Sequence, residues 1–270
     1  MPRIAYLAEN TIYVVSLEKE QRHAHTEDRW ILPRGRAHET YAGLACGNNG
    51  GFLLHVSRFA SEAVPPSAKA AVIFAELNAR TVKTVFADGN LSLTWPRLSP
   101  DGKWIAASGV REGMSALVLI STLSGDTQIF PELGMSSAQS WSNDSLKLLL
   151  TGLDESRLGW QVIEFDLLNR SLVRLPYFGG KPTWSPSQRG LAYLSNDHKE
   201  LIIVDAAGVE TARLRGFFKD LVGWLDERRL VFVTGTLYQD RIGIVDLASG
   251  DTQEFALDSN GEIAGACLLK

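Results

Sequence analysis

The sequence predicts an all-β fold, a single six-bladed β-propeller of four-stranded antiparallel blades. Its ring is closed by the C-terminal strand joining the N-terminal blade. Three observations predict it. First, one phrase recurs: Ser99-Pro100-Asp101-Gly102-Lys103-Trp104, then the apolar run Leu117-Val118-Leu119-Ile120, then Ser124-Gly125-Asp126-Thr127. The same order returns from Trp141-Ser142-Asn143-Asp144, from Trp184-Ser185-Pro186-Ser187 and from Trp224-Leu225-Asp226-Glu227. A turn–strand–strand–turn–strand repeat of about 40 residues is the signature of propeller blades. Second, the turns that end the third strand of each unit begin at Ser16, Glu76, Ser121, Asp166, Asp205 and Asp246, which gives six units. Third, the 24 residues after Asp246 and the first 16 residues together make one period of 40 across the chain break.

Each element has a local reason. Runs such as Leu230-Val231-Phe232-Val233 and Ile242-Gly243-Ile244-Val245 are apolar and β-branched, as strands covered on both faces should be. In Ser-Pro-Asp-Gly the proline sets φ at the first corner, the aspartate bonds its own backbone and the glycine takes positive φ. The one domain, 1–270, divides as follows. Blade 1 is shared between 1–40 and 261–270; blade 2 spans 41–88, blade 3 91–132, blade 4 136–176, blade 5 181–216 and blade 6 220–258. The innermost strands are expected at 42–46, 93–98, 138–141, 182–184, 221–224 and 263–268, read as apolar and without carboxylate or histidine. A ring pinned by both chain ends has no open sheet edge.

Composition bounds the rest. A net charge of −4 and a pI near 5.8 argue against a binder that neutralises nucleic-acid phosphates. No run approaches the ~20 apolar residues of a membrane helix. The first residues, Met-Pro-Arg-Ile-Ala-Tyr, show no basic-then-apolar leader. The expectation is a cytoplasmic protein with no membrane or nucleic-acid partner; a monomer is compatible with the sequence, which leaves the oligomeric state open. Cys46 and Cys267 sit among small apolar residues and read as buried reduced thiols. His23 and His25 lie two apart beside Glu27 and Asp28, a spacing compatible with metal, but read as a solvated outer strand. His55 alternates with apolar residues, and His198 falls in a hairpin. No catalytic residue, metal or cofactor is expected.

Tryptophans sort by period. Trp104, Trp141, Trp184 and Trp224 keep it and read as packing between blades, whereas Trp30, Trp95 and Trp160 depart from it. Aromatics beside arginine are over-used at protein-binding surfaces. The loops joining second to third strands, and each blade to the next, share one rim. They bring together Trp30, Arg58, Arg111, Arg157, Trp160, Tyr177, Phe178, Phe217, Tyr238 and Arg241 as candidate partner-binding residues.

Trp184-Ser185-Pro186 and Leu98-Ser99-Pro100-Asp101-Gly102-Lys103-Trp104-Ile105-Ala106, each leading to an apolar strand and an Asp-Leu-x-x-Gly-like turn, resemble TolB-type (WD40-like, PD40) propeller repeats. The resemblance runs along nearly the whole chain at the level of the repeat. It implies a six-bladed ring but no single function, because such rings host protein binders, peptidase gates and sugar-active enzymes. The functional expectation is a non-catalytic protein-binding module, such as a stand-alone inhibitor or immunity-type protein, holding one protein partner by the loop rim. The alternative is a carbohydrate- or lactone-active enzyme with its site at the channel mouth.

Overall fold

A computed structural model describes residues 2–18, 22–32, 39–46, 51–58, 69–88, 91–111, 113–133, 136–154, 156, 159–236, 239–259 and 261–269. The chain is all-β and propeller-like, built from antiparallel sheets. Strands are numbered in chain order. The first sheet has the order β23–β1–β2–β3, from β1 (Arg3–Ala8), β2 (Thr11–Ser16), β3 (His25–Ile31) and β23 (Gly265–Leu269). The C-terminal strand pairs with the N-terminal one along Arg3↔Leu269 to Leu7↔Gly265, as the count across the chain break requires.

The second sheet comprises β4 (Glu39–Cys46), β5 (Gly51–Arg58), β6 (Lys69–Glu76) and β7 (Thr81–Asp88). The third comprises β8 (Leu91–Leu98), β9 (Trp104–Arg111), β10 (Met114–Ser121) and β11 (Thr127–Phe130). The last comprises β19 (Asp220–Trp224), β20 (Arg229–Gly235), β21 (Asp240–Asp246) and β22 (Thr252–Ala256). Between them lies a seven-stranded sheet: β12 (Ser136–Trp141), β13 (Lys147–Asp154), β14 (Gly159–Asp166), β15 (Ser171–Trp184), β16 (Gly190–Ser195), β17 (Glu200–Asp205) and β18 (Glu210–Arg215).

Here the structure corrects an expectation. Tyr177 and Phe178, expected in a loop between blades, lie with the Gly179-Gly180 pair inside the 14-residue strand β15. Its first part pairs with β14, from Asp166↔Ser171 to Gln161↔Phe178, and its second part pairs with β16, from Gly179↔Ser195 to Trp184↔Leu191. Two glycines permit a turn but do not impose one, and here the backbone stays extended.

Apolar clusters fill the gaps between successive sheets. Leu7, Ile12 and Val14 pack against Leu44, Phe52 and Leu54. Tyr6 and Val15 meet Val233, Ile242 and Phe255 on the other side of the first sheet. Similar clusters join the second sheet to the third, the third to β12–β14, β13–β14 to β16–β17, and β16–β17 to the last sheet. The periodic tryptophans sit in these seams. Trp141 is buried, and its indole Nε1 donates to Arg97 O at 3.0 Å across a sheet boundary.

Cys46 and Cys267 form a disulfide with a Cα–Cα distance of 5.5 Å, which corrects the reduced-thiol reading. They are 221 residues apart in sequence but occupy β4 and β23, two strands that lie in contact.

Candidate mouth cavity and loop rim

The inner strands position the candidate site. β4, β8, β12, β15, β19 and β23 touch one another in a cycle and line one axial cavity of about 480 Å³. Five of these strands carry a register shift in the same part of the strand: between Ala42 and Leu44, Thr94 and Arg97, Ala138 and Ser140, Gly180 and Thr183, and Leu221 and Gly223. A bulge leaves residues outside the ladder and re-aims their side chains. In β8 and β15 the bulged pair is X-Pro, Trp95-Pro96 and Lys181-Pro182, and proline has no N–H to offer a ladder. Both X residues take positive φ, 49° at Trp95 and 56° at Lys181. Such a conformation costs a bulky residue of order 1 kcal/mol and persists where the surroundings hold it.

The bulges of three successive inner strands therefore bring Trp95, Gln139 and Lys181 to one place. They line a second cavity of about 300 Å³ at the mouth of the axial one, with Thr94, Ser108, Gly109, Ser137, Thr151, Trp160 and His198 among its other walls. The two cavities share Gln139 and Lys181. Lys181 Nζ lies 5.7 Å from the centre of the Trp95 ring and 3.4 Å from Asp220 Oδ1. Arg97, deeper in the axial cavity, donates from Nε to Gln139 O at 3.2 Å and from Nη1 to Pro96 O at 3.4 Å. Burial lowers the pKa of this guanidinium, with Asp220 opposing the shift. An arginine stays charged regardless.

The apolar reading of the inner strands thus needs correction. They present Arg97, Gln139 and Lys181 to the cavities, and Asp220 opens β19 one residue before the expected start of that strand. Among the described residues, no group of three or more His, Cys, Asp or Glu side chains is placed to hold a metal.

The rim candidates separate. Trp160 is 38% exposed and lines the mouth cavity, and its backbone N–H donates to Asn196 Oδ1 at 2.9 Å in the β16–β17 hairpin. That hairpin holds His198, whose Nδ1 bonds Phe218 O at 3.0 Å. Phe217, next along, is 52% exposed, while Phe218 is buried. Trp160, Asn196, His198 and Phe217 thereby share one stretch of rim. Arg241 is exposed on β21, with Nη1 3.7 Å from Glu254 Oε2.

Trp30 is not a surface residue. It is buried in the cluster between the first two sheets, and Arg80 lies over its ring at 5.7 Å while also pairing with Asp28. Its place on β3 explains this, since exposure alternates along His25–Ile31 and Trp30 falls on the inward side. Tyr177 stacks on Tyr193 with ring centres 5.5 Å apart, and Phe178 pairs with Gln161 within the sheet. Arg58 and Arg111 end β5 and β9, paired in register with Lys69 and Met114. Their side chains, like Arg157 and Tyr238 entirely, lie outside the described residues. Sequence reasoning missed the roles of Trp95, Gln139 and Lys181. The signal available for two of them was an X-Pro pair at matching places in two innermost strands.

No protein-family model matches the sequence, and no curated protein matches it either. Solved structures do. The chain is similar to a chain of the nidogen/laminin complex, at 11% identity and a TM-score of 0.72, over 99% of this chain and 98% of that one. It is similar to the putative TolB from Agrobacterium tumefaciens, at 15% identity and a TM-score of 0.66, over 98% and 93%. It also resembles the β-propeller domain of the Trilobed protease from Pyrococcus furiosus, at 14% identity and a TM-score of 0.51, over 77% and 69%. The fold is of the β-propeller type. At these identities the likeness extends to fold alone, TolB-like structures included, and assigns no activity.

Proposed function

We propose that the chain is a closed six-bladed propeller that acts as a non-catalytic protein-binding module through its loop rim. Support for six blades comes from β15, which serves as the outer strand of one four-stranded unit and the inner strand of the next, and from the cycle of six inner strands. Support for the rim comes from one observation. Trp160, at the start of β14, and Phe217, between β18 and β19, are large apolar side chains left exposed at the rim and tied together through the 195–199 hairpin. Exposed aromatics on a rigid scaffold suit the hot spot of a protein interface. The Cys46–Cys267 bridge favours a compartment that sustains disulfides over the cytoplasmic location expected from the sequence.

The test is capture of a partner from native extract by the wild-type protein and by a Trp160→Ala/Phe217→Ala variant of unchanged circular dichroism. The reading expects one specific partner, with retention falling at least ~10-fold in the variant, the scale of a single hot-spot loss of about 1.4 kcal/mol or more. Equal retention by both proteins would place the interface elsewhere.

A further inference from the structure

The geometry points to the mouth cavity as a binding site for a small monocarboxylate carrying one aromatic or apolar ring. The ring would lie between Trp95 and Trp160, and the carboxylate would face Lys181 at the passage toward Arg97, which lines the joined axial cavity. Charge at the cavity favours an anion. The protein bears a net charge of −4, yet the charged side chains lining the two joined cavities are Lys181 and Arg97, with no aspartate or glutamate among the lining residues described. One carboxylate, Asp220, stands near both cations: it pairs with Lys181 at 3.4 Å and acts on Arg97 only through space. Among the described residues no carboxylate lies within ion-pair distance of Arg97, whose recorded bonds go to two carbonyl oxygens. All three side chains are half-buried, and charge withdrawn from bulk water is ordinarily balanced by an opposite charge. Two cations and one anion leave room for one more negative group.

The shape of the cavity suits a small ring. A cavity of about 300 Å³ is at the small end of the range for ligand sites, enough for one ring and a short acid side chain. Two tryptophans open onto it, Trp95 at 47% and Trp160 at 38% exposure, and Gln139 adds an amide at the passage between the cavities. Trp95 and Lys181 are both held at positive φ by bulges at matching places in two inner strands, and strained non-glycine residues cluster at ligand clamps. This inference does not depend on a protein partner. It concerns the residues inside the cavity, and the two readings part at Lys181, which the rim proposal does not use.

The experiment titrates ¹⁵N-labelled protein with sodium phenylacetate and, separately, with neutral phenylacetamide at fixed ionic strength. It follows the tryptophan indole N–H resonances, assigned through Trp95→Phe and Trp160→Phe. Saturable shifts at Trp95 and Trp160 are expected, with phenylacetate binding at least ~10-fold more tightly than the amide, the discrimination given by one charge-assisted contact. Lys181→Gln should bring the acid down to the affinity of the amide while Trp160→Ala weakens both alike. Because Arg97→Gln could disturb folding, Lys181→Gln is the deciding variant. No saturable binding, equal affinity for the two probes, shifts confined to other indoles, or undiminished discrimination in Lys181→Gln would each overturn the inference.

Discussion

At the scale of the residue, the recurring turns act as small electrostatic devices. Ser99 Oγ donates to Asp101 Oδ1 and Ser142 Oγ to Asp144 Oδ1, each at 2.6 Å, and the same aspartates accept the N–H groups of Lys103 and Leu146. At Asp144 the Ser142 hydroxyl, followed by the Leu146 amide, holds the carboxyl below the usual carboxylate range. A group depressed in the folded state contributes stability above its unfolded pKa, near 3.9 for aspartate, and loses it as pH falls through the folded value. Thermal unfolding should therefore soften below about pH 4. Asp144→Asn should lower the melting temperature at pH 7 and narrow the gap between pH 7 and pH 3. A variant whose melting temperature fell equally at both pH values would assign Asp144 a packing role instead. Gly102 in the first of these turns takes φ +73°, the conformation that Ser-Pro-Asp-Gly predicts.

At the scale of the element, the turns also link blade to blade. Asp101 N–H donates to Ser145 Oγ at 3.0 Å, Asn143 Nδ2 to Pro186 O at 2.9 Å, and Ser187 N–H to Glu227 Oε1 at 2.6 Å. The repeated phrase is thus a chain of contacts around the end opposite the rim. Most strands were legible because an apolar β-branched run between turn residues leaves few alternatives, and the joining of β23 to β1 followed from counting residues across the break. Three features were not. Tyr177 and Phe178 looked like a loop because Gly179-Gly180 is a common breaker, but pairing on both sides keeps β15 extended. Trp30 looked like surface because its neighbours are charged, but inward alternation along β3 puts it in the core. Lys181 and Trp95 were obscured because a bulge changes which way a side chain points without changing the polar and apolar pattern around it.

At the scale of the molecule, the C-terminal strand is tied twice, to β1 by backbone pairing and to β4 by the Cys46–Cys267 bridge. A cross-link between residues 221 apart removes a large loop-closure entropy from the unfolded chain, about 5 kcal/mol on the chain-entropy scale. Dithiothreitol, or Cys46→Ala/Cys267→Ala, should lower the denaturation midpoint markedly while leaving the far-ultraviolet spectrum at 25 °C little changed, because the β1–β23 ladder remains. A midpoint indifferent to reduction would remove the bridge from the stabilising contacts. The propeller-like arrangement sets out two ends of different character, one of linked turns and one carrying exposed aromatics around the mouth cavity. Hydrogen–deuterium exchange of the protein with and without its captured partner compares the two ends in a single measurement. Binding through the rim should protect residues 159–161, 195–199 and 216–219 and leave the turns at 99–103, 142–146 and 185–188 unchanged. Protection of those turns with an unprotected rim would show that the partner sits on the opposite end.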